Sequence, residues 1–419
     1  MAPTSVFDQI LDHANRADPY PLYAELRKTP VARHADGFYV VSTYREIVAL
    51  LHDPRVSSDR VEELSGGHKT GGDGGPSVRP SFINLDPPEH DRLRRVAMRH
   101  FGPPCAPGRL DRMRDEVAEI AASLVDAFDG RTRADIVEDF AYPLPVTVIC
   151  RLLGVPREDE PLFRGWATAL VETIDPRARA NPAELERQRA VVQTELGGYL
   201  NELAGRCLRR PGDDLMSALV TDDGAEGRMS REELLGTASL LLVAGHETTV
   251  NLLANGVLTL LRHPATLDRL RREPGLIVPL VEELLRYEPP VHMALRRRAL
   301  ADIEIAGTTI PEGASISLVL AAGDRDPDRF PDPDRFDPER RDNEHLAFAG
   351  GIHYCFGAPM ARLEAQVALP ELARRLRNPR LVADPPPYRP NPLLRGPEHL
   401  LVTFDGVAPR AEPATRDPR

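Results

Sequence analysis

The sequence predicts a helix-rich α+β fold, mainly α with a small β-sheet region. Three observations predict it. Most of the 419 residues read as helices separated by Pro- and Gly-rich breaks. One helix, between Ser230 and Arg262, is apolar on nearly every face over its middle, which marks it as buried. The short alternating segments of strand character follow one another after Pro290. Helices elsewhere with strands gathered locally are the α+β pattern. Length alone suggests two or three domains, yet no linker supports a split and no repeat is evident. We therefore expect one domain over residues 1–406 and a disordered Pro/Arg-rich tail over 407–419. The glycine-rich stretch from Gly66 to Gly75 reads as a mobile loop within that domain.

Each element has a local reason. Asp86-Pro-Pro-Glu89 offers an acidic cap, a proline at the first helical position and a glutamate at the third, opening a helix through His90, Arg94 and Met98. Ser230-Arg-Glu-Glu233 is a capping box, and the helix behind it continues to Arg262, just before His263-Pro264. A third helix covers Leu276 to Tyr287, ahead of Glu288-Pro289-Pro290. The segments Ile303 to Ile305, Thr308 to Ile310 and Ser315 to Leu320 then alternate as a small sheet would. A last helical pattern starts near Ala358.

Composition narrows the function. A net charge of −11 argues against a nucleic-acid binder. Met1 to Asn15 carries acids and no apolar core, so no signal peptide is expected. The longest apolar stretch, Ala238 to Gly245, stops at His246 and Glu247, short of the roughly 20 residues a membrane span needs. A cytoplasmic protein is expected. Cys105, Cys150, Cys207 and Cys355 lie far apart with no Cys-x-x-Cys pair, which excludes the common zinc and dithiol patterns. Three of them read as ordinary small residues.

Cys355 differs. Phe348-Ala-Gly-Gly351-Ile-His353-Tyr-Cys355-Phe-Gly357 places it in a glycine-rich turn ahead of a helix, whose free N–H groups and positive potential favour thiolate. This stretch resembles the haem-binding loop of the cytochrome P-450 family, Phe-x-x-Gly-x-His/Arg-x-Cys-x-Gly. Every fixed position matches, and Ala349 stands where bacterial members commonly have glycine. The resemblance runs in order along most of the chain, from Asp86 to Thr403.

The resemblance implies a cytochrome P-450-like fold, with non-covalent haem b between the long central helix and the cysteine loop and Cys355 as iron ligand. It implies His90, Arg94, Arg297 and His353 as partners of the haem propionates. Gly245-His246-Glu247-Thr248 matches the family's acid–alcohol pair on the distal helix, implying catalytic roles for Glu247 and Thr248. His246 is expected to be structural. Glu283 and Arg286 match Glu-x-x-Arg, with Arg335 of Pro333-Asp-Arg335-Phe336 as third member of a structural triad. By position, Phe82, Ile83, Leu240, Val243, Ala244, Met293 and Leu295 would line a distal substrate pocket.

The reaction implied is NAD(P)H-driven insertion of one oxygen atom from O₂ into a lipophilic small molecule, as hydroxylation or epoxidation, in secondary metabolism. Electrons would come through a separate ferredoxin and ferredoxin reductase to a monomeric enzyme. The stretch His90 to Arg114 holds seven arginines against Asp91 and Asp111, and Arg92, Arg95, Arg99 and Arg109 are the expected docking residues for an acidic ferredoxin. The rival readings are a peroxygenase or oxidative coupling enzyme of the same fold, and a haem-free recruitment module.

Overall fold

The computed structural model describes residues 5–59, 81–101, 106–173 and 182–410. Residues 66–75, Cys105 and residues 411–419, for which expectations were set above, lie outside them.

The central helix runs Arg231–Arg262, 32 residues, or ~48 Å at the usual rise. It starts as expected: the Ser230 hydroxyl takes the Glu233 N–H, and the Glu233 carboxylate takes the Ser230 N–H. The helix is buried over most of its length and packs against helices Pro143–Leu153, Glu160–Thr173, Pro182–Arg209, Ile277–Tyr287 and Ala358–Arg375. Their apolar faces merge in one large core. Gly256 shows how close the approach is, because a Cβ there would lie 3.2 Å from Leu369 and 3.3 Å from Leu284.

The helix carrying His90 spans Glu89–Phe101, starting later than its sequence cap suggested. Asp86 accepts the His90 N–H through its backbone carbonyl, while its carboxylate turns back to Ser57 and Ser58. The third helix is Ile277–Tyr287, entered through a single 3₁₀ turn at Pro274–Leu276.

Among the described residues, ten short strands form three sheets. They are β1 (Val31–Arg33), β2 (Tyr39–Val41), β3 (Val56–Ser57), β4 (Arg133–Asp135), β5 (Ala294–Ala299), β6 (Ile303–Ile305), β7 (Thr308–Ile310), β8 (Ser315–Leu318), β9 (Arg380–Leu381) and β10 (Leu401–Thr403). The largest sheet has the order β1-β2-β8-β5-β3. This corrects the expectation that the segments after Ile303 share one sheet. β6 and β7 pair with each other alone, whereas β8 lies between β2, parallel, and β5, antiparallel. The reason is burial: Ile316 and Leu318 belong to one apolar cluster and the adjoining Val319 to another, so β8 needs covered faces that only a central strand has.

The tail also departs from expectation. Residues 407–410 are docked rather than disordered, with Val407 bridging Leu376, and Arg410 pairing with Asp126 at 2.6 Å and Glu119 at 2.9 Å. No helix among the described residues is long and apolar enough to cross a membrane.

Candidate active site

The cysteine loop is held at both ends. Cys355 N–H donates to the Phe348 carbonyl at 3.0 Å, and Ala349 N–H to the Leu346 carbonyl at 2.7 Å. Gly351 has φ +63° and lies so close to Leu51 that a Cβ would sit 2.0 Å from its carbonyl oxygen, so only glycine fits. Ala349 also adopts a left-handed conformation, φ 54°, with a side chain present. Arg362, one turn into the helix Ala358–Arg375, forks onto Glu282 at 2.7 and 2.8 Å and lies over the Phe348 ring at 4.5 Å. Burial works to raise the Glu282 carboxyl, but the Arg362 and His345 hydrogen bonds override it and hold it down at about 2.

Burial pushes the Cys355 thiol up. The Gly357 and Ala358 N–H groups at the helix start oppose this, as do the charges of Arg94 and Arg362. Cys150 and Cys207 are buried thiols as expected, Cys150 being pushed up by burial to about 12.

Cys355 opens onto a cavity of about 390 Å³. The central helix lines it with Leu240, Leu241, Ala244, Gly245, Thr248, Thr249 and Leu252. Of the expected pocket residues, Phe82, Ile83, Leu240, Ala244 and Met293 are in this lining. Val243 is not, and the side chain of Leu295 lies outside the described set.

Glu247, expected as the catalytic acid beside Thr248, sits one layer back from the cavity. It is absent from the cavity wall and buried behind it, accepting from Arg389 and, at 3.4 Å, from Asn251 Nδ2. Val243 and Glu247 are four residues apart, so they share a helix face, and that face is turned away. Thr248 faces the cavity, and its hydroxyl donates to the Ala244 carbonyl at 2.6 Å, the i−4 bond a buried threonine favours. The helix stays continuous there. His246 stacks edge-on against Tyr142 at 4.5 Å, outside the lining.

The other end of the cavity is cationic. Arg94, Arg297 and His353 line it, and His90 packs behind with its ring 4.5 Å from that of His353. Arg94 donates to the Tyr354 carbonyl at 2.6 Å, and Arg297 to the Ser58 hydroxyl. On β5 it is Arg297 that faces the cavity, while Arg298 is exposed. Burial, then the charges of Arg297, His90 and Arg94, push His353 down to about 3. His90 Nε2 and both ring nitrogens of His353 are buried without a hydrogen-bond partner. Buried polar groups are normally satisfied, so these atoms fit a ligand that brings acceptors. The two carboxylates of haem suit them and the adjacent guanidinium groups.

The triad is also corrected. Glu283 and Arg286 are fully buried and joined by two bonds of 2.8 Å. The guanidinium that joins them belongs to Arg340, 3.4 Å from Glu283, while Arg335 contributes only its carbonyl and points its side chain outward to Asp337. The expected docking arginines are likewise engaged within the chain. Arg92 pairs with Glu233, Arg95 with Glu226, Arg99 with Asp222 and Glu226, and Arg109 donates to the Asp213 carbonyl. Acids distant in sequence thus neutralise much of that face.

Sequence reasoning missed Ser58, Arg340, Arg389 and Glu364. Glu364 lines the cavity, has an unpartnered oxygen, and is pushed well above the usual carboxylate range by burial. Its spacing from Gly357, Met360 and Ala361 on one helix face was the available signal.

The cytochrome P-450 family model matches residues 172–404. The chain is 42% identical over 402 residues to the cytochrome P-450 monooxygenase PikC of Streptomyces venezuelae, covering 93% of this chain and 91% of that protein. It is 38% identical over 405 residues to the 6-deoxyerythronolide B hydroxylase of Saccharopolyspora erythraea, covering 93% and 96%. Among solved structures, CalO2 superposes with TM-score 0.86 at 32% identity, covering 94% of this chain and 98% of the other.

Proposed function

This chain belongs to the cytochrome P-450 family and is a monooxygenase that uses haem, dioxygen and electrons derived from NAD(P)H; from that premise we propose that it oxidises a macrocyclic polyketide. One observation carries the residue assignment. A single cavity gathers the Cys355 sulfur, a cationic end built by Arg94, Arg297 and His353, and an otherwise apolar wall bearing Thr248.

Bound haem supplies the redox chemistry, and a thiolate ligand favours O–O cleavage. Cys355 would hold the iron as thiolate, with the N–H groups of Gly357 and Ala358 favouring the charged sulfur against burial. His90, Arg94, Arg297 and His353 would hold the two propionates. Thr248 holds a proton-bearing hydroxyl at the wall, anchored by the Ala244 carbonyl. Phe82, Ile83, Leu240, Ala244 and Met293 exclude water and receive a lipophilic substrate. Glu247 acts one layer back, through its Arg389 and Asn251 contacts. A separate ferredoxin and its reductase deliver electrons to a monomer in the cytoplasm, and residues 1–406 form the catalytic domain.

The macrolide reading leans on the 6-deoxyerythronolide B hydroxylase and on the large apolar pocket. The test is a spectral titration with macrolactones, a secosteroid and a long-chain fatty acid. A high-spin Soret shift with macrolactones, followed by a product one oxygen heavier, is expected. Tighter binding of the secosteroid or fatty acid would overturn the class. Separately, Cys355→Ala should abolish the red-shifted carbon monoxide band of the reduced protein, while Cys150→Ala keeps it.

A further inference from the structure

We propose that Asp86, Ser57 and Ser58 form a junction that positions the cationic end of the cavity, with Ser58 as the residue that aims Arg297. The groups assigned to the haem carboxylates come from two separate elements: His90 and Arg94 from the helix Glu89–Phe101, and Arg297 from β5. Their relative placement decides whether both sides can grip one ligand.

Asp86 joins the two. Its carbonyl accepts the His90 N–H at 3.1 Å, fixing the start of the helix. Its carboxylate takes the Ser57 hydroxyl at 2.5 Å and the Ser58 N–H at 2.9 Å. Ser57 belongs to β3, whose Cα partner on β5 is Arg298, the neighbour of Arg297. Ser58 completes the path: its hydroxyl accepts from Arg297, and the residue itself lines the cavity. Ser57 and Ser58 are 2% and 3% exposed, so these bonds form away from competing water. A hydroxyl suits the task better than a carboxylate would, because it orients a guanidinium without neutralising it. These are positioning residues, since they act through Arg297, His90 and Arg94.

The proposal rests on the cavity being the haem site, and its test separates the two. Haem transfer from the holoprotein to excess apomyoglobin is measured for wild type, Ser58→Ala, Ser58→Thr, Arg297→Ala and the Ser58→Ala/Arg297→Ala double variant, alongside the melting temperature of each apoprotein. Ser58→Ala should lose haem about tenfold faster, the low end of what one hydrogen bond to a charged group suggests, with unchanged apoprotein melting. Ser58→Thr should restore the wild-type rate. The double variant should be little worse than Arg297→Ala, since both act through one guanidinium. Wild-type haem loss in Ser58→Ala, or additive losses in the double variant, would overturn the junction while leaving the haem site intact. Wild-type protein that binds no haem would overturn the site itself.

Discussion

Replacing Arg340 should cost far more stability than replacing Arg335, although Arg335 is the one in the motif. The Arg340 side chain is 8% exposed and lies 3.4 Å from Glu283, itself fully buried. It also donates to the carbonyls of Pro331 at 2.7 Å, and of Asp332 and Arg335 at 3.1 Å each. Arg340→Ala leaves Glu283 paired with Arg286, so the loss stays below the ~3–5 kcal/mol of stranding a buried charge. Hydrogen bonds to a charged group are worth roughly 1.5–3 kcal/mol each. Three of these acceptors can regain water, so about 2–3 kcal/mol is expected in total. Arg335 is 69% exposed and reaches only Asp337 at 3.4 Å. Such a surface pair contributes about 0–1 kcal/mol. Arg286→Ala removes the bidentate partner and should exceed both. Urea unfolding of the holoproteins, followed by circular dichroism and the Soret band, gives the ranking Arg286 > Arg340 > Arg335. If Arg335→Ala proves as damaging as Arg340→Ala, the assignment of the third arginine here is wrong.

Three further outcomes are expected. Ala349→Gly should raise loop stability modestly, because a left-handed alanine costs about 1–2 kcal/mol and glycine returns part of that as unfolded-state entropy; Gly351→Ala should instead lose haem and unfold early, and calorimetry of both variants would show it. Asp324 is pushed up from 3.8 to about 8, by burial first, so the folded protein keeps a proton the unfolded chain has released and stability falls as pH rises through that window. Asp324→Asn should match wild type near the low end and melt progressively higher than it toward pH 8; parallel melting curves would refute the shift. Thr248→Ala should keep its haem yet yield less product and more hydrogen peroxide per NADPH, whereas Glu247→Gln, off the cavity wall, should leave that ratio unchanged while weakening the Arg389 contact. Product and peroxide assays on one reaction decide between them.

What the sequence revealed follows the range of the interactions involved. The Ser230 capping box, the helix Ile277–Tyr287 and the hairpin β6–β7 rest on contacts within a few residues, and patterning alone placed them. The partners of β8 were invisible, because β2 lies near the other end of the chain. Arg335 and Arg340 share a loop without periodicity, so nothing local says which guanidinium turns inward. The arginines of the His90 helix looked unopposed only because Asp222, Glu226 and Glu233 follow much later. The placement of Glu247 is a different case. Adjacent residues on a helix point about 100° apart, and the cavity takes Thr248 and Thr249 while Glu247 turns to Arg389 and Asn251. The run Leu241, Gly245, Thr248 and Leu252 carried the phase of the cavity face, while the Arg389 partner of Glu247 comes from far along the chain.

The cysteine loop tolerates so much irregular backbone because contacts from the rest of the fold hold it. Its anchors come from three directions: Glu282 through Arg362, Asp324 through the Leu346 N–H at 2.6 Å, and the Leu51 carbonyl crowding Gly351. None depends on the ligand that Cys355 holds. They set the position of the sulfur, and the N–H groups of Gly357 and Ala358 bond to it. A donor fixed in advance needs no reorganisation when charge accumulates on it. The left-handed Ala349 shows that this placement is held against local strain, with the surrounding contacts setting the loop's shape.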